Sequence, residues 1–134
     1  RAALRDVGDI PGSERALRRS LDLLGSVREN APAWTALAAT LRARGDLDEA
    51  ESAARRVIEE DEEDAHGWRV LALVAGDRAD VARAAEAWER SARLGLDPPG
   101  ALAGLAGLRK DCLARGDTVG AADVESRIAR LRRG

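Results

Sequence analysis

The sequence predicts an all-α protein made of antiparallel helix pairs stacked as repeats. Three observations carry that expectation. The first is a 34-residue period. It relates Trp34 to Trp68, Leu37 to Leu71 and Ala38 to Ala72, and it sets Ala16, Ala50 and Ala84 in register. The second is a recurring turn. Ala43-Arg44-Gly45-Asp46 returns as Ala114-Arg115-Gly116-Asp117, and Ala79-Asp80 stands in its place in the middle copy. Glycine after a helix supplies the left-handed residue that ends it, and the following aspartate offers an oxygen to cap the next helix. The third is composition. Aromatic residues are 2% of the chain, three Trp with no Phe or Tyr. The core must therefore come from Ala, Leu and Val, which suits helices whose backbones approach closely.

The elements follow in chain order within one domain over residues 1–134. Residues 1–30 read as a degenerate partial repeat: Ala16 is in register, but the first helix is only Arg1 to about Val7. Residues 31–64 form a full repeat. Trp34, Leu37, Ala38 and Leu41 lie at i, i+3, i+4 and i+7, one apolar stripe of a first helix. Asn30 is placed to cap that helix, and Pro32 suits its first turn. Leu47, Ala50, Ala54, Val57 and Ile58 make one side of the second helix. Ala38 against Ala50 and Ala53 allows close approach, while Trp34 and Trp68 are expected to be core. Residues 65–98 repeat the pattern with Trp68, Leu71, Ala72 and Ala84. Residues 102–134 form a divergent copy with Leu105 at the Trp position, then Leu108, Gly116 and Ala121. The spacing from Leu71 to Leu108 and from Ala84 to Ala121 is 37 residues. One insertion of three, at Gly95-Leu96-Asp97-Pro98-Pro99-Gly100, explains both. Arg109 stands where the preceding copies carry a small residue, so looser packing is expected there.

Over these residues the sequence resembles the tetratricopeptide repeat family. The stretch Ala31-Pro32-Ala33-Trp34-Thr35-Ala36-Leu37-Ala38, followed by Gly45-Asp46-Leu47-Asp48-Glu49-Ala50, carries the family's Trp, Leu, small-residue, Gly and Ala positions in order. Trp88 falls where the family has a large aromatic. The resemblance implies a right-handed α-solenoid of about three and a half repeats. Its first helices would line a concave groove that takes a peptide or partner helix. The groove residues so implied are Thr35, Ala39 and Arg42, then His66, Arg69, Leu73 and Asp77, then Ala106 and Lys110. Arg42, Arg69 and Lys110 are the charge handles. Arg69 is the expected main anchor for an acidic segment, because a guanidinium binds a carboxylate through paired planar hydrogen bonds. Members that hold acidic chaperone tails use a clamp of Lys, Asn and Arg. Thr35 and Ala39 occupy the places of the first Lys and the Asn, so that set is absent.

Composition bounds the function classes. The net charge is −2, with acids and bases interleaved, which argues against a nucleic-acid surface. Cys112 is the one cysteine, so no internal disulfide or finger-type zinc site forms. No cofactor or metal is expected. The longest apolar-plus-Gly run, Gly100 to Leu108, falls short of the ~20 residues of a membrane span. The chain starts at Arg1, which reads as a processed or excerpted product, and a cytoplasmic setting is only the default. Nothing pairs Cys112 with His66 for nucleophilic chemistry, so no enzymatic activity is expected. Cys112 reads as a buried, inert thiol.

Other features have plain structural readings. The two Arg-Gly-Asp tripeptides are inter-helix turns. The acidic run Glu59 to Asp64 reads as a solvated connection whose last members favour the next helix N-terminus. Its competing reading is a docking patch for a basic partner, and it lacks the glycine punctuation of a calcium loop. Gly100, Gly104 and Gly107 read as small residues for tight helix packing. Arg127, Arg130, Arg132 and Arg133 suit the end of a last helix.

The function expected is a protein-interaction module, scaffold or adaptor. The alternatives are an accessory domain of a larger protein, or a segment that self-assembles by stacking its ends. Ala121, Ala122, Val124, Ile128 and Leu131 in the last helix, and Leu4 and Val7 in the first, would then expose apolar surface.

Overall fold

The computed structural model describes residues 29–133 together with Arg19 and Leu23. The expected stub helix with Leu4 and Val7, and the register residue Ala16, lie outside the described residues. Six helices run in order: α1 (Ala31–Ala43), α2 (Leu47–Glu60), α3 (Ala65–Asp77), α4 (Val81–Arg93), α5 (Pro98–Ala114) and α6 (Thr118–Arg133). No strand occurs among the described residues. Each odd helix packs on the next even one, giving three antiparallel pairs that stack in sequence. This is the all-α helical-repeat fold that the period demands.

The turn chemistry works as the sequence implies. Gly45 and Gly116 adopt φ of +87° and +77°, and Ala79 takes the same left-handed place at +61°. In each turn the next amide reaches back to a carbonyl five residues earlier: Asp46 to Leu41 at 2.9 Å, Asp80 to Ala75 at 2.9 Å and Asp117 to Cys112 at 2.8 Å. These bonds close the helix ends whose last carbonyls would otherwise be unpaired. Asp80 and Asp117 then cap the following helices, accepting from the amides of Arg83 at 3.3 Å and Gly120 at 2.9 Å. The capping expectation is corrected at two places. Asp46 makes no side-chain cap bond, and its buried Oδ2 has no hydrogen-bond partner. The Arg44 guanidinium, 3.7 Å away, is the nearby countercharge. Asn30 makes no side-chain cap bond either, and α1 starts on Pro32 and its backbone.

The core is small-residue packing with a few large plugs. Trp34, Ala38 and Leu41 of α1 face Ala50, Ala53, Ala54 and Val57 of α2, all buried. Gly67 lets α3 close on α2, since a Cβ there would stand 3.1 Å from Val57 Cγ1. Trp34 is 1% exposed and Trp88 is 9% exposed, but Trp68 is only partly buried. Trp68 is therefore not the core plug that its period with Trp34 suggested. Its Nε1 donates to the Glu62 carbonyl at 2.8 Å, and the Arg90 guanidinium stacks 4.6 Å from its ring centre. It sits at a margin, where its polar edge meets the loop.

The third pair departs from the first two. The insertion lies at the expected place, but Pro98, Pro99 and Gly100 are wound into an added first turn of α5. Asp97, at φ +46°, caps that turn by accepting from the Gly100 amide at 3.1 Å. Gly104 fulfils the tight-packing reading: a Cβ there would overlap the Trp88 indole, so α4 lays its tryptophan on bare α5 backbone. Gly107 has open space and does no such work. The region around Arg109 packs well, with Leu105, Leu108 and Cys112 buried and Arg109 turned to Glu125 of α6 at 3.4 Å. Burial pushes the Cys112 thiol pKa up, and nearby Asp117 adds to this.

Stacking is not uniform along the pairs. α1 packs directly beside α3, whereas α3 and α5 hardly touch. The second helices do the reverse: α4 packs directly against α6, whereas α2 and α4 hardly touch. The last helix also hides more than expected. Ala121, Val124 and Ile128 are buried and Leu131 is half-buried, leaving Ala122 and Val119 exposed.

Candidate functional site

The candidate surface is the face of the first helices, α1, α3 and α5. The structure leaves Ala39, His66, Arg69, Asp77, Ala106 and Lys110 exposed, and Thr35, Arg42 and Leu73 half-buried. Leu73 leans on the core, and Thr35 turns back to donate its hydroxyl to the Pro32 carbonyl at 3.0 Å. Both are therefore more structural than a groove floor requires.

Two of the nine residues meet. Arg42 Nε and Nη2 bind the Asp77 carboxylate at 2.7 and 3.2 Å, a bidentate pair joining the ends of α1 and α3. Arg42 is thus engaged within the protein. Arg69 and Lys110 are exposed and have no hydrogen-bond or ion-pair partner among the described residues. They stand on α3 and α5, the two first helices that do not pack on each other. The exposed part of α5 beside Lys110 is smooth, with Ala103, Ala106 and Gly107 facing solvent.

The strongest electrostatics lies on the second helices, in a cluster that the sequence reading does not anticipate. Glu89 of α4 is 6% exposed. It accepts from Arg93 at 3.0 Å, Arg127 at 2.8 Å and Arg130 at 3.1 Å. Burial alone would raise its pKa, but hydrogen bonds from Arg130, Arg93 and Arg127 outweigh it and bring it down to about 2. Arg127 and Arg130 are therefore bridges between α6 and α4, and only Arg132 and Arg133 remain a plain basic helix end. A signal was present: Glu89 and Arg93 share one helix face at i and i+4. What the sequence lacks is the register that brings α6 beside them.

Glu51 of α2 forms a second, shallower hub with Arg55 at 2.8 Å, Arg83 at 2.8 Å and Arg78 at 3.5 Å. Beside it lies a cavity of about 230 Å³ between α2 and α4, with α3 as its floor. Among the described residues, no group of three His, Cys, Asp or Glu side chains is arranged to hold a metal ion. No helix there is long and apolar enough to cross a membrane.

This architecture, pairs of short helices joined by left-handed turns and stacked in sequence, defines a helical-repeat protein. Residues 31–74 match the family model of the tetratricopeptide repeat. No curated protein matches the chain. Tetratricopeptide repeats generally mediate protein–protein interaction or scaffolding and are typically non-enzymatic.

Proposed function

We propose that this chain is a protein-interaction module whose first helices bind an acidic segment of a partner. The arrangement would be a right-handed solenoid with α1, α3 and α5 on its concave side. The single observation that carries the reading is the contrast among the three cations. Arg42 is held by Asp77, whereas Arg69 and Lys110 lack a partner among the described residues. An exposed guanidinium and ammonium flanking a smooth Ala/Gly surface suit a carboxylate-bearing strand or helix. Arg69 is the main anchor and Lys110 the second. Ala39, His66 and Ala106 are further exposed members of the same face, with Thr35 and Leu73 behind it.

The test is a pull-down with wild-type chain and a folded Arg69→Glu/Lys110→Glu variant, bound proteins being identified by mass spectrometry. A partner held by wild type and lost by the variant, followed by direct titration of its acidic segment, is the expected result. Identical captures by both proteins would move the function off this face.

A further inference from the structure

The cavity between α2 and α4 lies away from the face just described. It is lined by Arg55, Ile58 and Glu59 of α2, Trp68 and Leu71 of α3, and Arg83 and Glu86 of α4. Its floor is apolar and fixed. Leu71 is buried, Ile58 is packed against the core, and the Trp68 ring is pinned by its Nε1 bond to Glu62 and by Arg90. About 230 Å³ is room for one large side chain, since an engineered cavity of about 150 Å³ takes benzene.

The rim has a sign. Its two cations, Arg55 and Arg83, both donate to one oxygen of Glu51 at 2.8 Å. The two carboxylates, Glu59 and Glu86, are exposed and have no hydrogen-bond or ion-pair partner among the described residues. The rest of the acidic run, Glu60 to Asp64, continues from Glu59 into the loop before α3. Glu51 offsets one of the two arginines, and Arg90 sets a third cation on Trp68. The acids Glu59 to Asp64 together with Glu86 outnumber them, so the surroundings of the apolar notch are net negative.

We propose that this notch is a second docking site, for a basic protein segment that seats one large apolar side chain on Ile58, Trp68 and Leu71. A lysine or arginine beside that side chain would lie against Glu59 and Glu86. An acidic segment would meet repulsion from these carboxylates, and a neutral one would leave them without a partner. The two faces of the molecule would then select opposite charge.

The test is an NMR titration of the isotope-labelled chain with a synthetic dodecapeptide holding one leucine between two lysines in a Gly/Ser background. The indole N–H of Trp68 is the reporter. The expected result is a saturable shift of that signal, with those of Trp34 and Trp88 unmoved. Affinity should fall by roughly tenfold or more in Glu59→Lys/Glu86→Lys, and likewise for the peptide with alanine in place of leucine. Asp111→Lys/Glu125→Lys carries the same change in net charge on the third pair and should bind as wild type does, as should Arg69→Glu/Lys110→Glu. No saturable Trp68 shift, equal binding of the alanine peptide, or an equal loss in the third-pair control would each overturn the proposal.

Discussion

The two junctions between successive second helices use one device at two depths. At the α2/α4 junction, Glu51 joins Arg55 of its own helix to Arg83 of the next. At the α4/α6 junction, Glu89 joins Arg93 of its own helix to Arg127 and Arg130 of the next. The first hub lies at the surface beside an open notch, with Trp68 half-buried at its floor. The second is closed: α4 and α6 touch directly, Glu89 is buried, and Trp88 covers bare backbone at Gly104. Glu51 and Glu89 are not equivalent by the repeat, because the position 34 residues after Glu51 is Ala85. Tight packing, not ion pairing, thus decides whether a junction closes. The same ion-pair device then stabilises where it is buried and leaves a binding surface where it is not.

The largest effect that tests this contrast comes from the tryptophans. Trp88→Ala should cost roughly 3–5 kcal/mol, the range for deleting a buried aromatic, and Trp34→Ala about the same. Trp68→Ala should cost only about 1–2 kcal/mol, because less of its apolar surface leaves water. Denaturant titrations of the three variants check this ranking. Equal costs for Trp68 and Trp88 would mean that the first junction is as closed as the second.

Gly104 sharpens the comparison by sign. Alanine in place of glycine within a helix ordinarily stabilises by about 1 kcal/mol. Gly107→Ala, with open space around it, should follow that rule. Gly104→Ala should instead destabilise by about 1–3 kcal/mol, because the new methyl overlaps Trp88. Thermal melts of the two variants, moving in opposite directions, are the expected outcome. A stabilised Gly104→Ala would remove the close approach from the account.

The carboxylates should differ in the same sense. Glu89→Gln should cost about 2 kcal/mol, since it leaves three guanidiniums around a neutral, buried amide. Glu51→Gln, among partners with 37–45% of their side chains exposed, should cost below about 1 kcal/mol. The pH dependence has a definite sign. The Glu89 pKa is about 2 in the folded chain and about 4.3 when unfolded. Its contribution is therefore complete above the unfolded value and is lost as pH falls from about 5 toward 2. Urea midpoints measured over that range should fall for wild type, and the fall should be shallower in Glu89→Gln.

Much of this was legible in the residues. The 34-residue period, the Gly-Asp turns and the Ala-rich stripes specify paired helices, because each depends on local geometry within one helix or one turn. The sequence shows that Arg42, Arg69 and Lys110 can share a face. It does not show that Asp77 holds Arg42, since that pair depends on how α1 lies beside α3. The Glu89 hub and the notch were hidden for the same reason. Both arise from the distance between non-adjacent helices, which no local pattern in the sequence encodes. Trp68 misled because a period fixes a residue's place in its helix, not how far its neighbour covers it.

The smallest effect concerns the middle turn, where local and global requirements disagree. Gly45 and Gly116 hold the left-handed position at no steric cost, but the middle copy places Ala79 there at φ +61°. An alanine in that region crowds its Cβ against the following carbonyl oxygen, at a cost of roughly 1–2 kcal/mol. The turn nonetheless forms, with the Asp80 amide bonded to the Ala75 carbonyl and Asp80 capping α4. Burial of Ala84, Ala85 and Trp88 against α3 and α5 evidently outweighs the strain. Ala79→Gly should therefore stabilise the chain by about 0.5–1 kcal/mol, the relief of strain being partly offset by the greater freedom of glycine when unfolded. A rise of a few degrees in melting temperature with an unchanged helical spectrum is the expected result. A fall would mean that the second pair draws its stability from a stiff turn, and would make the two junctions differ in their hinges as well as in their packing.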